Sequence, residues 1–281
     1  MKKVKILLIF CLICSVFCGC LKDQLFDDKT DSTAYGVFLD YDGDLERLSD
    51  YDYLVIDASY YDESEIKKVS GPQRHIYSYI NIGSLENFRD YYDDFRSITL
   101  GDYENWEEEK WIDVSDKRWQ DFILNELAPE FLSKGISGFF VDNVDVYYMY
   151  PTDEIFDGLT AILKGLKEMD CDVIVNGGDT YLDIFTERGG DPEDIITGIN
   201  QECVFTGIDW ENERLIESKR EDRGYFSEYI EKYAQRGMQI FMIEYVPDGD
   251  ENNTLRKDIR AYAKDHGFMY YIADSIKLNV P

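Results

Sequence analysis

The stretch "GISGFFVDNVDVYYMY", residues 135–150, joins an apolar strand to a group of polar side chains. Its run from Gly138 to Asp142 is typical of a strand that is buried on both faces. Asp142 ends this run, and Asn143, Asp145 and then tyrosines follow. A carboxylate at the end of an apolar strand is partly desolvated, which is costly unless it is hydrogen-bonded or takes part in chemistry. The stretch therefore predicts a core strand with functional side chains at its carboxyl end.

Apolar runs of this kind recur along the chain and alternate with amphipathic stretches. Eight runs are predicted as strands: Tyr35–Leu39, Tyr53–Asp57, His75–Asn81, Gly138–Asp142, Asp172–Asn176, Ile195–Glu202, Gln239–Glu244 and Phe268–Ala273. The intervening stretches are predicted as helices: Glu63–Val69, Leu85–Phe95, Lys117–Ser133, Asp153–Met169, Thr180–Glu187, Arg220–Arg236 and Thr254–Asp265. This alternation over about 250 residues is typical of an α/β protein with a single (β/α)8 TIM barrel. A doubly wound open sheet is the alternative, weakened because the sequence has no glycine-rich phosphate loop after the first strand.

Most of the predicted strands end in, or are directly followed by, an acid or an amide side chain: Asp57, Asn81, Asp142, Asn176, Glu202 and Glu244. In a barrel the carboxyl ends of all strands face one mouth, where side chains line the active site. Each of these residues alone has a structural explanation, such as a helix cap or a contact with a loop backbone. Six together indicate an enzyme or a polar-ligand site.

The residue types narrow the chemistry. The sequence shows no Ser-His-Asp pattern, no Cys-His pair and no Walker loop. Glycoside hydrolysis uses paired acids: one carboxyl protonates the leaving oxygen, and the other attacks the sugar or activates water. Aromatic side chains near strand ends suit sugar rings, although they also serve loop packing: Tyr60, Tyr61, Tyr79, Trp106, Trp111, Tyr147, Tyr148, Tyr150 and Tyr245.

The chain is strongly acidic, with 58 acidic side chains against 29 basic ones and a formal net charge of −29. Without the three lysines of the first twenty residues the charge is −32. Such a surface repels phosphate backbones and anionic lipid headgroups, so no nucleic acid partner is expected. The charge either keeps the protein soluble or draws in a cationic substrate, and both explanations can hold together.

The first twenty residues resemble an export signal. Three lysines precede an apolar run over residues 6–17, which is too short to span a bilayer, and the run closes at Cys18-Gly19-Cys20. This resembles a bacterial lipoprotein signal in which Cys20 is lipidated. The predicted organisation is a signal over 1–20, an acidic tether over 21–33 and a (β/α)8 domain over 34–281. The protein is expected to be exported, either anchored at the cell surface through Cys20 or secreted, with membrane contact only through the anchor.

Cysteine and histidine usage argues against a disulfide framework and a zinc site. Four of the six cysteines lie in the signal, which leaves Cys171 and Cys203 at opposite ends of the predicted barrel, both unpaired. His75 and His266 have no His or Cys neighbour at metal-ligand spacing, so neither a bound metal of this kind nor a cofactor is predicted. An ion held by oxygen ligands stays open in so acidic a chain.

Several segments resemble the endo-α-1,4-polygalactosaminidase-like family, glycoside hydrolase family 114. The resemblance runs from about Tyr53 to Leu278, and its most specific segments are "WIDV" at residues 111–114 and "FVDNVD" at residues 140–145. Other segments that carry it are "VIDASYY", "IYSYINIGSLENFRDYY", "VIVNGG", "INQECVF" and "IFMIEYV". It implies a (β/α)8 hydrolase that cuts α-1,4-linked galactosamine polymers within the chain, without metal. Such a polymer with free amines is cationic, which matches the acidic surface.

The resemblance also implies the site residues. Asp142 on the fourth strand corresponds to the nucleophile, and Glu202 on the sixth to the general acid/base. Positions that match those shaping the sugar site are Asp57, Tyr79, Glu86, Arg89, Asp113, Asp145, Asn176, Glu244 and Tyr245. The chain reads Gly-Ser-Leu-Glu at residues 83–86 where the family often has Gly-Glu-Ala-Glu, and Asp-Asn-Val-Asp at residues 142–145 where it often has Asp-Thr-Val-Asp. The identity of the polymer is therefore open.

Two other functions remain as alternatives at this stage. A barrel of this kind can bind sugar as a surface lipoprotein without turning it over, because an acid-rich mouth binds ligand whether or not chemistry follows. A polysaccharide deacetylase is the third possibility. Its chemistry generally requires a metal held by His and Asp, which two isolated histidines disfavour.

Overall fold

The computed structural model describes residues 34–247, 249 and 253–279. Its strands are β1 (Tyr35–Phe38), β2 (Tyr53–Ile56), β3 (His75–Asn81), β4 (Ser84–Glu86), β5 (Thr99–Asp102), β6 (Glu109–Ile112), β7 (Gly138–Asp142), β8 (Asp172–Asn176), β9 (Gly198–Glu202), β10 (Thr206–Asp209), β11 (Arg214–Glu217), β12 (Gln239–Tyr245) and β13 (Met269–Ala273). Its α-helices are α1 (Glu63–Val69), α2 (Tyr92–Phe95), α3 (Lys117–Phe122), α4 (Ala128–Ser133), α5 (Val146–Met149), α6 (Asp153–Lys167), α7 (Asp179–Glu187), α8 (Arg220–Ala234) and α9 (Asn253–His266).

Eight of these strands form one parallel sheet in the order β1-β2-β3-β7-β8-β9-β12-β13. The last strand returns to the first, where the rings of Phe38 and Tyr271 lie 5.4 Å apart. The sheet is thus a nearly closed barrel with helices around it, and the predicted (β/α)8 TIM barrel is confirmed. Each of the eight predicted strands is present. The sixth begins only at Gly198, because Pro192–Asp194 forms a 3-10 turn before it.

Side chains of each strand alternate between the barrel interior and the layer beneath the helices. On β7, Phe140 packs inside the barrel, whereas Phe139 and Val141 belong to the larger core between sheet and helices. Both faces are therefore apolar, which explains the unbroken apolar run. Asp142 lies two residues after Phe140, and so it points into the barrel at its carboxyl end.

The predicted helix Leu85–Phe95 is wrong over most of its length. Ser84–Glu86 instead pairs antiparallel with β6 in a small sheet of order β4-β6-β5, and only Tyr92–Phe95 is helical. Leu85 is fully buried in this arrangement, so tertiary packing overrides the local helical pattern. A second insert, the antiparallel hairpin β10–β11, was also not predicted. Both inserts follow the carboxyl ends of barrel strands and therefore lie at the barrel mouth.

The predicted helix Lys117–Ser133 is present with a widened turn in its middle. Residues Ile123–Leu127 form a π-helical turn between α3 and α4. The N–H of Ala128 bonds to the carbonyl of Ile123, five residues back. Pro129, which has no N–H to donate, follows at once. The apolar face still reaches the core, since Trp119, Ile123 and Leu127 are buried.

Some of the predictions concern residues 1–33, which lie outside the described residues: the signal, the tether and the lipid-carrying Cys20. Within the described part of the chain, none of the helices combines the length and the apolar character needed to cross a membrane. Cys171 precedes β8 and Cys203 follows β9, at opposite ends of the barrel, and both are free thiols.

Substitution of Gly83 by alanine should unfold the barrel mouth. A Cβ atom at Gly83 would lie 1.7 Å from the backbone oxygen of Asn143, the residue that follows Asp142. We expect the free energy of unfolding to fall by more than about 2 kcal/mol, as measured by chemical denaturation. Gly71→Ala is the control, because a Cβ there meets no atom within 4 Å. Equal stability of the two variants would contradict this packing.

Candidate active site

A cavity of about 830 Å³ opens at the carboxyl ends of the barrel strands. Most of the predicted site residues line it: Asp57, Tyr79, Glu86, Arg89, Asp142, Asp145, Asn176, Glu202 and Tyr245. A smaller cavity of about 420 Å³ lies at the other end of the barrel, where His75 begins β3. The larger cavity is the candidate active site, because the sites of TIM-barrel enzymes lie at the carboxyl end of the strands.

One amide holds the two candidate catalytic acids together. The side-chain nitrogen of Asn176 donates to Asp142 Oδ1 at 3.0 Å and to Glu202 Oε1 at 2.7 Å. These two oxygens are therefore at most 5.7 Å apart, the sum of the two distances. The hydroxyl of Tyr245 donates to the other oxygen of Glu202 at 2.5 Å. The strands that carry the acids, β7 and β9, flank β8, and so its terminal amide lies between them.

The orientation of this amide is set from beneath. The side-chain nitrogen of Asn200 donates to Asn176 Oδ1 at 2.7 Å, and Asn200 Oδ1 accepts from the hydroxyl of Tyr35 at 3.0 Å. Because the oxygen of Asn176 is occupied, its NH2 group faces the acids. Asn200 and Tyr35 were not among the predicted site residues. The available signal was spacing, since Asn200 lies two residues before Glu202 and thus on the same face of β9.

The backbone turns sharply after Asp142, Asn176 and Glu202. Asn143, Gly177 and Cys203 follow them directly, with φ angles of 63°, 68° and 59°. This left-handed region suits glycine and asparagine but is uncommon for other residues. Asn143 is further held by its side chain, which accepts from Tyr103 at 3.2 Å and donates to Ser84 at 3.1 Å. These turns end the strands and direct their last side chains into the cavity.

Burial is the largest influence on the pKa of Asp142 and of Glu202, and it raises both. Hydrogen bonds lower the pKa of each acid, from Asn176 to both and from Tyr245 to Glu202. The negative charge of Asp142 raises the pKa of Glu202 further. Burial therefore favours the neutral form of both acids, and the charge of Asp142 adds to this effect on Glu202, as expected for two close carboxyls.

Two further acids of the cavity hold protons near neutral pH. Burial raises the pKa of Asp145 to about 7, and the charges of Asp179 and Asp142 add to this rise. Burial also raises the pKa of Glu109 to about 7, against the hydrogen bond that it accepts from Ser84. Glu109 was not among the predicted residues. It reaches the mouth on β6, which belongs to the unpredicted small sheet.

A buried ion cluster forms another part of the cavity wall. Arg89 Nε lies 2.6 Å from Glu86 Oε2, and its Nη1 lies 2.7 Å from Asp57 Oδ2. All three side chains are at most 10% exposed. The hydroxyl of Tyr79 donates to the other oxygen of Glu86 at 3.3 Å. The cluster thus fixes four predicted residues against one another and carries a net charge of −1.

Two predicted sugar-site residues do not line the cavity. Asp113 accepts from the N–H and the hydroxyl of Ser115, at 3.0 and 2.6 Å, in the turn after β6. Glu244 is fully buried and accepts from the N–H groups of Phe205 and Thr206 and from the Thr206 hydroxyl. It thereby anchors the chain just beyond Glu202. The alternation along β12 explains this position, because Tyr245 faces the barrel interior and its neighbour must face outward.

Among the residues that the structure describes, no group of three or more His, Cys, Asp or Glu side chains is arranged to hold a metal ion. The site instead consists of two close acids, an amide between them and aromatic side chains in an open cavity. Paired carboxyls in such a setting at the mouth of a TIM barrel define a site of the glycoside-hydrolase class.

Comparison with known proteins agrees with this class. The sequence profile of the glycoside-hydrolase family GH114 matches residues 26–169, about half of the chain, and the protein belongs to this family. The chain is also 24% identical to the uncharacterized protein MJ1477 of Methanocaldococcus jannaschii over 263 residues, which cover 83% of this chain and 73% of that protein.

Two solved structures share the barrel. The glycoside hydrolase domain of PelA from Pseudomonas aeruginosa superposes with a TM-score of 0.73 at 16% identity, covering 88% of this chain and 96% of that domain. Ega3 from Aspergillus fumigatus, solved in complex with galactosamine, gives a TM-score of 0.64 at 19% identity and covers 88% and 92%. At these identities the likeness shows a common fold.

Replacement of Arg89 by methionine should destabilise the protein strongly. Asp57 and Glu86 would keep their buried positions without their cation, and breaking a buried pair in this way costs about 3–5 kcal/mol. Arg118→Met is the matched control, since Arg118 pairs with Asp116 in an exposed position where such pairs contribute about 0–1 kcal/mol. Urea unfolding of both variants measures the difference. A loss no larger for Arg89→Met than for the control would exclude a stabilising role for the cluster.

The stability of the protein should fall as the pH rises from about 4.5 to about 7. Burial raises the pKa of Glu109, Asp145 and Glu244 to about 7 in the folded chain. In this window the folded chain holds protons that the unfolded chain has released. Because the folded state binds more protons, the free energy of unfolding falls as the pH rises. Above about pH 7 the three groups ionise in the folded chain as well, and their contribution levels off.

Unfolding free energies at several pH values test this. Glu244→Gln should flatten the decline, because it removes one of the three groups, whereas Glu46→Gln at an exposed position should not. Identical pH profiles for the two variants would contradict a proton on buried Glu244.

Proposed function

We propose that the protein is an exported glycoside hydrolase that cleaves α-1,4-linked galactosamine-type polysaccharide with two carboxyl groups. The observation that carries this proposal is the pair Asp142 and Glu202, held by the single amide of Asn176 inside an open cavity. Membership of family GH114 supports hydrolysis of a glycosidic bond.

The geometry supports a mechanism with retention of configuration. Carboxyl groups about 5–5.5 Å apart are typical of retaining glycosidases, whereas inverting enzymes need about 6.5–9.5 Å for a water molecule. The limit of 5.7 Å between the nearest oxygens of Asp142 and Glu202 favours the first class. This short distance also argues against a barrel that only binds sugar. That alternative would be favoured if the two acids were too far apart to flank one glycosidic bond.

The proposed reaction has two steps. The ionised carboxylate of Asp142 attacks the anomeric carbon, while Glu202 gives its proton to the departing glycosidic oxygen. In the second step Glu202, now ionised, takes a proton from water as the water oxygen attacks the anomeric carbon and releases Asp142. The raised pKa of Glu202 beside the charge of Asp142 suits this division of roles. The Asn176 amide donates to both acids and keeps them in register.

An amino-sugar substrate is supported by charge. The cavity carries several carboxyl groups beyond the pair, among them the exposed Glu108, and the whole chain has a formal charge of −29. A polymer with free amines is cationic near neutral pH and is drawn to such a site. The related fold of Ega3 was solved with galactosamine bound, which supports the same substrate class. Export rests on the sequence alone, with Cys20 as the proposed lipid attachment site.

Asp142→Asn and Glu202→Gln should each lower the release of short oligosaccharides from de-N-acetylated galactosamine polymer by about a thousandfold or more. Neither change should reduce thermal stability, because each replaces a buried acid by a neutral group of the same shape. Asp113→Asn is the matched control, since Asp113 does not line the cavity, and it should retain activity. Products are sized by mass spectrometry, with acetylated polymer in parallel. Undiminished turnover in either acid variant would remove the proposed site.

A further inference from the structure

The two inserts at the barrel mouth meet through a pair of tryptophans. Trp106 lies in the turn between β5 and β6, and Trp210 follows β10 at the tip of its hairpin. Their ring centroids are 5.8 Å apart and the rings are nearly perpendicular, at 76°. Both side chains line the cavity that contains the acid pair, yet each remains 39% exposed.

The two inserts that carry these tryptophans follow barrel strands on either side of two strands that end in site residues. The insert with Trp106 follows β3, and the insert with Trp210 follows β9. Between these two strands in the sheet lie β7 and β8, whose ends carry Asp142 and Asn176. The two inserts therefore follow the strands on either side of β7 and β8. The tryptophan pair, which we call the aromatic bridge, forms part of the cavity lining.

A carboxylate in the same turn as Trp106 also lines the cavity. Glu108 lines the same cavity two residues after Trp106, and its side chain has no hydrogen bond or ion pair among the described residues. Its backbone is fixed, because its carbonyl accepts from the N–H of Asn87 at 2.8 Å. Glu109 is fixed in the same way, since its N–H donates to the carbonyl of Trp106 at 3.0 Å. The turn therefore presents an aromatic face and a carboxylate together.

We propose that Trp106, Trp210 and Glu108 form a sugar-binding subsite, separate from the acid pair, for one amino-sugar residue of the bound polymer. This inference rests on the proposed function and names a specificity determinant of the same cavity. Exposed aromatic faces stack on the apolar face of a sugar ring, and a carboxylate pairs with its ammonium group. The subsite binds the chain at a distance from the scissile bond, so it acts on affinity rather than on the chemical step.

Binding to galactosamine oligosaccharides of increasing length tests the subsite. The measurement uses calorimetry in the Glu202→Gln background, which prevents turnover. Affinity of this parent should rise with length until the subsite is filled, and Trp106→Ala or Trp210→Ala should abolish that gain, weakening binding of the long oligosaccharides about tenfold. Trp106→Phe, which keeps an aromatic face, should recover most of the affinity. Tyr148→Ala is the control, because Tyr148 is 67% exposed and does not line the cavity.

The contribution of the Glu108 carboxylate is tested by comparing oligosaccharides with and without free amines. Glu108→Gln should weaken the binding of oligosaccharides with free amines several-fold and leave their N-acetylated counterparts unaffected. The tryptophan variants could instead lose stability to urea but keep the parent's affinity and its dependence on oligosaccharide length. In that case the bridge only stabilises the packing of the two inserts, and the inference is overturned.

Failure of the subsite and failure of the proposed function are distinguishable. If the wild-type protein cleaves polymer and the tryptophan variants match its KM, the hydrolase stands and the subsite falls. If the wild-type protein cleaves nothing while the parent binds oligosaccharides in a tryptophan-dependent way, the subsite stands and the hydrolase falls. If the wild-type protein cleaves nothing and the parent binds no oligosaccharide, both are overturned.

Discussion

The shared hydrogen bonds of Asn176 are the constraint on which the rest of the site depends. Two desolvated carboxyls within 5.7 Å of each other cannot both hold a full charge cheaply, and the amide between them offsets part of this cost by donating a hydrogen bond to each. The amide lies between them because β8 is flanked by β7 and β9. Its direction is fixed by Asn200 below. The fold and the backbone turns therefore place both acids around one amide.

The other carboxyl groups at the barrel mouth are also stabilised against the cost of burial. Most of the carboxyl groups at the mouth are hydrogen-bonded, carry protons near neutral pH, or share the buried cation Arg89, and this limits the cost of burying them. A cationic sugar chain would add positive charge to the cavity and relieve the remaining repulsion. The proposed affinity for amines thus follows from the need to balance a cavity lined by many acids, and Glu108 is one carboxylate at its rim that has no partner in the described chain.

Much of the fold follows from the sequence because barrel strands are buried on both faces and read as unbroken apolar runs. The same pattern locates Asp142, Asn176 and Glu202, since each follows such a run at the point where it leaves the core. Period-two alternation along β12 and β9 separates Tyr245 in the mouth from Glu244 behind it and selects Asn200. The inserts escaped prediction for a different reason. Leu85 and Glu109 take up their positions by pairing with distant segments, which no local pattern records.

The most direct measurement is the identity of the residue that bonds to the sugar during turnover. Brief reaction with a slow, activated fluoro-glycoside of galactosamine, followed by denaturation, proteolysis and mass spectrometry, would trap and locate the glycosyl ester. A single labelled peptide with the sugar on Asp142 is expected, and no label in the Asp142→Asn variant. A label on Glu202 or on any residue outside the cavity, or turnover with inversion and no trapped ester, would contradict it.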